Sequence, residues 1–237
     1  MNYTLSVIVP FLNEEKFIEK SIERLLSTNL FMEIILVNDA STDKSPSIAN
    51  SYAEKYENIQ LINLENQSGK GKAVQNGIKL ATSTHVVVHD ADLEYFPDDL
   101  IEMFKLVEKD SESLILGSRT LKGQIRDNKY KLTFYGNKYL TALFSLINFY
   151  KVTDIASCYW IIKRDLINKM DLVEKGFAIE VEVISKFLKT NNKIIEYPIK
   201  YNGRTYAEGK KIVFSDGLKI LFKIIKYSKL FNFFKFI

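Results

Sequence analysis

Cysteine and histidine are scarce in this sequence of 237 residues, which contains one cysteine and two histidines. Because Cys158 is the single cysteine, an intrachain disulfide and a cysteine-based metal site are both excluded. His85 and His89 lie four residues apart on a predicted strand, and no third histidine accompanies them. We therefore expect both histidines to be structural, and we expect no zinc site.

Long apolar runs and a strong net charge are also missing. The amino terminus lacks the basic residues and apolar core that are typical of a signal peptide. The longest uncharged apolar run, 139–150, is shorter than the roughly 18 residues of a membrane-spanning helix and suits a buried or interfacial helix. The net charge of +4 is too small to indicate nucleic-acid binding. These features predict a protein on the cytoplasmic side and leave contact with a membrane open.

Strand and helix signals alternate through the first half of the chain. Apolar, β-branched runs predict strands, and apolar residues at helical spacing predict helices. The predicted strands are 5–9, 33–37, 59–64, 85–89 and 114–116, and the predicted helices are 14–26, 45–55, 70–80 and 98–107. This order predicts an α/β fold of the Rossmann-like kind, with a mostly parallel sheet and helices on both faces.

The second half of the chain is more basic. We predict a basic loop at 120–132, an apolar helix at 133–150, strands at 157–162 and 193–199, and a helix at 179–188. Residues 1–211 are expected to form one domain, and residues 212–237 an amphipathic, helical tail with five lysines, one acidic residue and clustered phenylalanines. This tail is expected to lie at a membrane surface, to pack on the domain, or to bind a small membrane partner subunit.

The most informative motif is His-Asp-Ala-Asp-Leu-Glu, which follows the apolar run 86–88. Asp90, Asp92 and Glu94 would then lie at the carboxyl end of a buried strand, which is the edge where open α/β sheets bind ligands. Carboxylates at this edge suit Mg²⁺ carrying a diphosphate, because Mg²⁺ takes one or two carboxylates together with substrate phosphates. An acidic turn with solvated charges is the alternative interpretation.

Two other predicted strands are also followed by carboxylates. Glu14 comes after the first strand and Asp39 directly after the second. Because the carboxyl ends of parallel strands meet at one edge, the three acidic strand ends should converge on one crevice.

Two basic segments contain glycine. Residues 69–72 read Gly-Lys-Gly-Lys, but they lack the upstream glycine and the following hydroxyl of a Walker A loop. This segment either attracts an anion at a helix start or forms a flexible turn with solvated lysines. Residues 201–211 contain Arg204 and Lys210, which would either bind phosphate or lie in a solvated loop.

Taken in order, these motifs resemble the inverting GT-A glycosyltransferases of family 2, in the branch of dolichyl- and polyprenyl-phosphate mannose or glucose synthases. The matching segments are Ser-Val-Ile-Val-Pro-Phe-Leu-Asn-Glu-Glu, Val-Asn-Asp-Ala-Ser-Thr-Asp, Gly-Lys-Gly-Lys-Ala-Val-Gln-Asn-Gly, Asp-Ala-Asp-Leu-Glu, Gly-Ser-Arg and Gly-Arg-Thr-Tyr-Ala-Glu-Gly-Lys-Lys. The segment 153–160 departs from the family's usual sequence at Ala156, Cys158 and Trp160. This departure leaves the sugar and acceptor specificity open.

The resemblance implies a GT-A fold and a role for each matching residue. The nucleotide would be bound by Pro10, Leu12, Glu14, Asp39, Asp90 and Ala91. Asp92 and Glu94 would hold Mg²⁺ or Mn²⁺. The residues expected to act in catalysis are Asp92, Arg119, Arg204 and Lys210, of which the three basic ones would contact phosphates of the donor or the acceptor.

The resemblance further implies transfer of a hexose from a nucleotide sugar, of the GDP-mannose or UDP-glucose type, to polyprenyl or dolichyl phosphate. The enzyme would be peripheral at the cytoplasmic face of a membrane. One alternative is transfer to a hydroxyl of a surface polysaccharide or glycolipid, for which Asp154, Glu180 and Glu182 are candidate general bases. Another is a non-catalytic nucleotide-sugar-binding protein, against which the paired Asp92 and Glu94 argue.

Overall fold

Strands and helices alternate along the chain in the computed structural model, which describes residues 3–121, 126–127, 131–205 and 214–234. The strands are β1 (Leu5–Phe11), β2 (Glu33–Asn38), β3 (Ile59–Asn63), β4 (His85–Val88), β5 (Leu114–Ser118), β6 (Arg126–Asp127), β7 (Trp160–Lys163), β8 (Ile194–Pro198) and β9 (Tyr201–Asn202). The helices are α1 (Ile18–Ser27), α2 (Ser45–Lys55), α3 (Lys70–Leu80), α4 (Asp98–Lys105), α5 (Lys131–Asn148), α6 (Arg164–Asn168), α7 (Ile179–Phe187), α8 (Phe214–Tyr227) and α9 (Lys229–Phe234).

Seven of these strands form one sheet in the order β3-β2-β1-β4-β7-β5-β8, and β6 pairs with β9 separately. Only β7 runs antiparallel to its neighbours in the seven-stranded sheet. All residues of β1, β2 and β4 are buried, because both faces of the sheet are covered, and this explains their uninterrupted apolar runs. The predicted α/β fold with a mostly parallel sheet is confirmed.

Glu33 joins β1, β2 and the turn before β4 at the amino-terminal edge of the sheet. Its Oε1 accepts hydrogen bonds from Ser6 Oγ, Thr82 N and Ser83 N at 2.7 to 2.9 Å. Burial alone would raise the pKa of the Glu33 carboxyl, but these hydrogen bonds favour the ionised form and lower the pKa below its ordinary value.

Two predicted boundaries were wrong for identifiable reasons. Helix α1 begins at Ile18 rather than at 14, because the backbone N–H groups of Phe17 and Ile18 both donate to Glu14 O at 2.9 Å and close a turn. Strand β7 begins at Trp160 rather than at 157, because the N–H of Trp160 folds back to Cys158 O at 3.1 Å. Sequence patterns did not predict α6, β6 and β9, which are too short to show a period.

The described part of the tail packs on the rest of the protein. Helix α8 contacts α5 and α7, and α9 contacts α5. Lys223 Nζ and Tyr227 Oη lie 2.8 and 2.5 Å from Glu174 Oε1. None of the helices within the described ranges has both the length and the apolarity needed to cross a membrane. Most of the predicted basic loop at 120–132 lies outside the described residues.

Candidate active site

The carboxyl ends of β1, β2 and β4 open on a cavity of about 530 Å³. Its wall includes Pro10, Leu12, Glu14, Asp39, Asp90, Ala91, Asp92, Glu94, Arg119 and Arg204. These are all of the predicted site residues except Lys210, which lies outside the described residues. The three acidic strand ends therefore meet at one crevice, as their position in a parallel sheet predicts.

Asp39, at the end of β2, fixes the turn that leads into α3. Its Oδ1 accepts the N–H of Ser68 at 2.7 Å, and its Oδ2 accepts the N–H of Gly69 at 2.8 Å. Gly69 has a φ of 91°, a conformation that glycine adopts at little cost. The buried carboxylate of Asp39 thus holds the start of α3 against the cavity, and a nucleoside role for Asp39 stays a prediction.

Lys70, the first residue of α3, bridges two carboxylates in the cavity wall. Its Nζ lies 2.8 Å from Asp90 Oδ1 and 2.8 Å from Glu180 Oε1. Burial alone would lower the pKa of the Lys70 amine, but the charges of Asp90 and Glu180 outweigh burial and raise the pKa well above its ordinary value. Burial raises the pKa of Glu180, which Lys70 only partly offsets. The lysine therefore stays charged and fixes both carboxyl groups.

Asp92 and Glu94 have different surroundings. Glu94 accepts the hydroxyl of Tyr201 at Oε2 and the N–H of Arg204 at Oε1, both at 2.6 Å. Asp92 Oδ1 accepts the N–H of Glu94 at 3.2 Å. Burial, followed by the charges of Glu94 and Asp90, raises the pKa of Asp92 to about 7. Glu94 thus anchors the 201–204 segment, while Asp92 is a carboxylate crowded by like charge.

Arg204 connects the ends of β1 and β4. Its Nη1 donates to Glu14 Oε2 at 3.0 Å, and its Nη2 donates to Asp92 Oδ2 at 3.2 Å. The guanidinium carbon lies 5.0 Å from the centre of the Phe17 ring, a cation–π distance. Its Nε is buried and finds no hydrogen-bond acceptor among the described residues. Arg204 is therefore a buried, oriented cation in the cavity wall and is not part of a solvated loop.

Arg119, which follows β5, is held by Asp154. Its Nε and Nη2 donate to the two carboxylate oxygens of Asp154 at 2.7 and 2.8 Å. Its guanidinium carbon also lies 5.0 Å from the ring centre of Tyr201 and 5.9 Å from that of Tyr95. The Arg119 charge lowers the pKa of Asp154, although burial alone would raise it. The pair places a rigid guanidinium at the cavity wall.

Comparison with known proteins identifies the family. The family described as "Glycosyl transferase family 2" matches residues 6–171, which is more than half of the chain. The chain belongs to glycosyl transferase family 2. It is therefore a glycosyltransferase, and the non-catalytic alternative is not retained.

Relatives of this family 2 enzyme include two curated transferases. It is 26% identical over 230 residues to the dolichol-phosphate mannosyltransferase of Pyrococcus furiosus, covering 94% of this chain and 64% of that protein. It is 37% identical over 130 residues to a dolichyl-phosphate beta-glucosyltransferase of Trichomonas vaginalis, covering 49% of this chain and 40% of that protein. It is 29% identical over 232 residues to an uncharacterised protein of Methanocaldococcus jannaschii, covering 93% and 97%. The chain thus spans less than two thirds of each of the two curated transferases.

Solved structures confirm the GT-A fold of this family 2 enzyme. Glucosyl-3-phosphoglycerate synthase from Mycobacterium tuberculosis in complex with UDP superposes with a TM-score of 0.73 at 18% identity, over 95% of this chain and 80% of that chain. The same synthase in complex with Mn²⁺, UDP and glucosyl-3-phosphoglycerate gives a TM-score of 0.73 at 17% identity, over 96% and 80%. At these identities the likeness concerns the fold.

Several cavity residues of this family 2 enzyme had no assigned role in the sequence analysis. These are Tyr95, Asn137, Phe177, Tyr201 and Ile220. The sequence analysis considered Lys70 as an attractor of anions or a solvated lysine, and Glu180 as a base. The sequence signal that could have pointed to Tyr201 is its position in the basic segment, three residues before Arg204. The pairing of Lys70 with Glu180 has no sequence signal, because the two residues come from α3 and α7.

Proposed function

We propose that this glycosyltransferase moves a hexose from a nucleoside diphosphate sugar to the phosphate of a polyprenyl or dolichyl lipid, with Mg²⁺ or Mn²⁺ held at Asp92. The observation that carries the proposal is the contact of Asp92 with Arg204 in the cavity wall at 3.2 Å. It puts a carboxylate suited to a divalent cation beside a guanidinium suited to a phosphate. The two curated transferases, which are named for dolichol-phosphate chemistry, support the lipid acceptor.

The charge of the cavity wall supports a donor accompanied by a cation. Among the described residues, the lining contains the carboxylates of Glu14, Asp39, Asp90, Asp92, Glu94 and Glu180 and the cations Lys70, Arg119 and Arg204. Six carboxylates against three cations would repel a diphosphate that arrived alone. A divalent cation reverses part of this imbalance and gives the diphosphate a partner.

The donor set fits such an ion. Its side chains offer oxygen ligands, which Mg²⁺ and Mn²⁺ prefer. The described residues contain no group of three or more histidine, cysteine, aspartate or glutamate side chains arranged to enclose a metal. An ion held at Asp92 would therefore have to complete its coordination with water and substrate phosphates. Both Glu94 oxygens accept short hydrogen bonds of 2.6 Å, whereas those accepted by the two Asp92 oxygens are 3.2 Å long. We therefore assign the ion to Asp92 and give Glu94 the task of anchoring the 201–204 segment.

The bound cation would neutralise charge on the departing diphosphate. The chain's own residues supply the rest. Glu14 holds Arg204 in place before substrate arrives, so that its positive charge is already oriented when charge develops on the phosphates. Asp154 does the same for Arg119. Tyr95 and Tyr201 are buried and pack against the Arg119 guanidinium.

The nature of the acceptor decides whether a base is needed. A phosphate monoester needs little help as a nucleophile, because its second pKa is about 6. A hydroxyl acceptor needs a general base, and of the three candidate carboxylates only Glu180 is among the described lining residues. Asp154 is bound to Arg119, and Glu182 accepts the N–H groups of Val173 and Glu174. Transfer to a hydroxyl, with Glu180 as base, is therefore the second candidate.

A direct assay separates these functions. The enzyme is given Mn²⁺, radiolabelled GDP-mannose or UDP-glucose, and one of three acceptors: polyprenyl phosphate, a free glycan or 3-phosphoglycerate. We expect label in polyprenyl phosphate. Label that enters only the glycan or only phosphoglycerate would reject the lipid acceptor. In Glu180→Gln, transfer to the phosphate of polyprenyl phosphate should persist, whereas transfer to an acceptor hydroxyl should fall by about 100-fold or more.

A lipid acceptor also implies a place for the enzyme. Polyprenyl and dolichyl chains stay within a bilayer, so the cavity must reach the membrane surface to meet the phosphate. We propose peripheral binding at the cytoplasmic face, either to lipid directly or through a small membrane partner subunit.

A further inference from the structure

Exposed apolar side chains are concentrated on three helices. Of the twelve large hydrophobic side chains that are exposed in the described part of the chain, nine lie on or directly beside α5, α8 and α9. The other three are Met32, Leu80 and Val173. Scattered exposed hydrophobics are ordinary on a protein surface, but a cluster on neighbouring helices marks an interaction site.

Helix α5 has a buried face and an exposed face that is largely apolar. The buried face carries Thr141, Phe144 and Asn148. The opposite face carries the exposed residues Tyr135, Tyr139, Ala142, Leu146 and Phe149 at spacings of three and four residues. This stripe is about 21 Å long at 1.5 Å per residue. An amphipathic helix on a water-exposed surface presents polar residues on this face, so the pattern indicates a second apolar environment.

Helix α8 repeats the pattern and lies beside α5. Its buried residues are Ile220, Ile224 and Tyr227, and its exposed apolar residues are Leu218, Phe222 and Ile225. The two helices pack together, and the N–H of Lys229, at the start of α9, donates to Asn148 Oδ1 near the end of α5 at 3.1 Å. The exposed stripes of α5 and α8 therefore belong to adjacent helices.

Phe149 is held in an unfavourable backbone conformation. It follows α5 with a φ of 53°, a left-handed conformation that favours glycine or asparagine and is strained for a bulky side chain. Its ring is also 76% exposed, so it gains little from burial. A residue that costs stability and packs on little indicates a function outside the folded domain.

The charged residues on these three helices are lysines, with the exception of Asp216. Helix α5 contains lysine and no acidic residue, and α8 and α9 contain one acidic residue, Asp216. Lys138, Lys219, Lys226 and Lys229 are exposed. Exposed lysines beside exposed aliphatic and aromatic side chains suit the anionic surface of a bilayer, where the apolar groups enter the lipid and the amines stay at the headgroups.

The same two helices line the cavity. Thr133 and Asn137 of α5 and Ile220 of α8 belong to its wall. A bilayer in contact with these helices would therefore lie next to the wall of the proposed sugar-transfer site.

We propose that the α5–α8 surface, formed by Tyr135, Tyr139, Leu146, Phe149, Leu218, Phe222 and Ile225, docks on the anionic leaflet of a membrane. The proposal deepens the proposed function, on which its link to a lipid phosphate acceptor rests. The docking itself depends only on the exposed surface and its charge.

Vesicle flotation tests the surface. The enzyme is mixed with vesicles of phosphatidylcholine containing phosphatidylglycerol, or of phosphatidylcholine alone, at low and high salt. Wild type should float with the anionic vesicles, and less so at high salt because the lysine charges are screened. In Leu146→Gln/Phe149→Asn, the partition coefficient should fall at least tenfold because two apolar groups are lost from the lipid. Met32→Gln/Leu80→Gln, which changes two exposed residues at the amino-terminal edge of the sheet, is the matched control and should float like wild type.

The single variant Phe149→Asn separates docking from folding. It should keep or raise the midpoint of urea unfolding, since asparagine suits the left-handed conformation, and it should lower flotation. Flotation equal to wild type in Leu146→Gln/Phe149→Asn, or no flotation of wild type with any vesicle, would overturn the proposal. A wild-type dimer in light scattering that this double variant abolishes, without flotation, would assign the surface to a second copy instead.

The acceptor assay keeps the two proposals apart. If wild type fails to float but transfers sugar to a short-chain, water-soluble polyprenyl phosphate, the docking surface is refuted and the proposed function stands. If wild type floats through the α5–α8 surface but labels only the glycan or phosphoglycerate, docking stands and the lipid acceptor is refuted.

Discussion

Removal of the Arg204 charge should destabilise the folded protein by a large amount that depends on pH. The guanidinium contacts Glu14 Oε2 at 3.0 Å and Asp92 Oδ2 at 3.2 Å, and the three side chains are 10%, 7% and 17% exposed. Arg204→Met removes the guanidinium from beside two largely buried carboxylates. Loss of one partner from a buried ion pair costs about 3–5 kcal/mol, because the remaining charge stays desolvated.

The size of the loss should follow the protonation of Asp92. Burial and neighbouring carboxylates raise its pKa to about 7, and Arg204 acts in the opposite direction. In Arg204→Met the folded-state pKa therefore rises further above the unfolded value. When a group has a raised pKa in the folded state, the free energy of unfolding rises as pH falls through that pKa. The variant should therefore recover part of its lost stability in acid. We expect Arg204→Met to lose about 3–5 kcal/mol of the free energy of unfolding at pH 8, and less at pH 6.

Urea unfolding at the two pH values, with EDTA present, measures this. The slope with urea should stay unchanged while the midpoint falls. Lys219→Met is the control, because Lys219 pairs with Asp216 at 3.3 Å but is 70% exposed, and such pairs contribute about 1 kcal/mol or less. A loss below about 1 kcal/mol for Arg204→Met at pH 8, or a loss that is the same at both pH values, would mean that water already solvates these carboxylates.

Three further predictions concern the metal site, a buried histidine and helix packing. UDP with Mn²⁺, at about 100 times the Kd, should stabilise the wild-type protein by about 2.7 kcal/mol in a thermal-shift assay. The Asp92→Asn variant should lose most of this stabilisation. Equal stabilisation of wild type and variant would argue against a metal at Asp92. Burial lowers the pKa of His89 to about 4 from an ordinary value of 6.5, so the free energy of unfolding should fall by about 3 kcal/mol as pH decreases through that interval. In His89→Gln the free energy of unfolding should depend less on pH over the same range. An identical pH dependence in wild type and variant would show that another group titrates. Gly77→Ala should lower the free energy of unfolding by about 1–3 kcal/mol, because the added Cβ would lie 2.4 Å from Ile8 Cγ2, and an unchanged urea midpoint would mean that α3 can shift on the sheet.

The sheet could be predicted because its central strands are buried on both faces. In β1, β2 and β4 burial leaves only apolar and a few hydrogen-bonded polar residues, and such runs are visible without a structure. The convergence of Glu14, Asp39 and Asp90 followed from the parallel order alone. Antiparallel β7 between β4 and β5 could not be predicted, because strand direction depends on how the chain between them crosses the sheet.

The partners of the site residues were beyond sequence reasoning. Glu94 resembles a metal ligand in sequence, but its hydrogen bonds with the Tyr201 hydroxyl and the Arg204 N–H join residues more than a hundred positions apart. Likewise, Arg119 could be expected to meet phosphate, but its bidentate pairing with Asp154 becomes visible only when β5 and the 153–157 turn lie side by side. Residue type indicates what a side chain can bind, and tertiary packing decides which partner it has.

The Gly-Lys-Gly-Lys segment resembles a ligand-binding motif, but its glycines have a structural reason. A Cβ at Gly69 would lie 2.5 Å from Lys175 O, and one at Gly71 would lie 2.3 Å from Glu174 O. Both glycines are therefore required by the close approach of the 174–176 segment to α3, whatever the turn binds. Lys70 between them is already paired with Asp90 and Glu180. The glycine spacing thus results from close backbone packing. Lys70 is neither an open anion site nor a solvated lysine in a flexible turn. Since the side chain of Glu174 also binds Lys223 and Tyr227, this packing joins the wall of the cavity to the tail helix α8 through one residue.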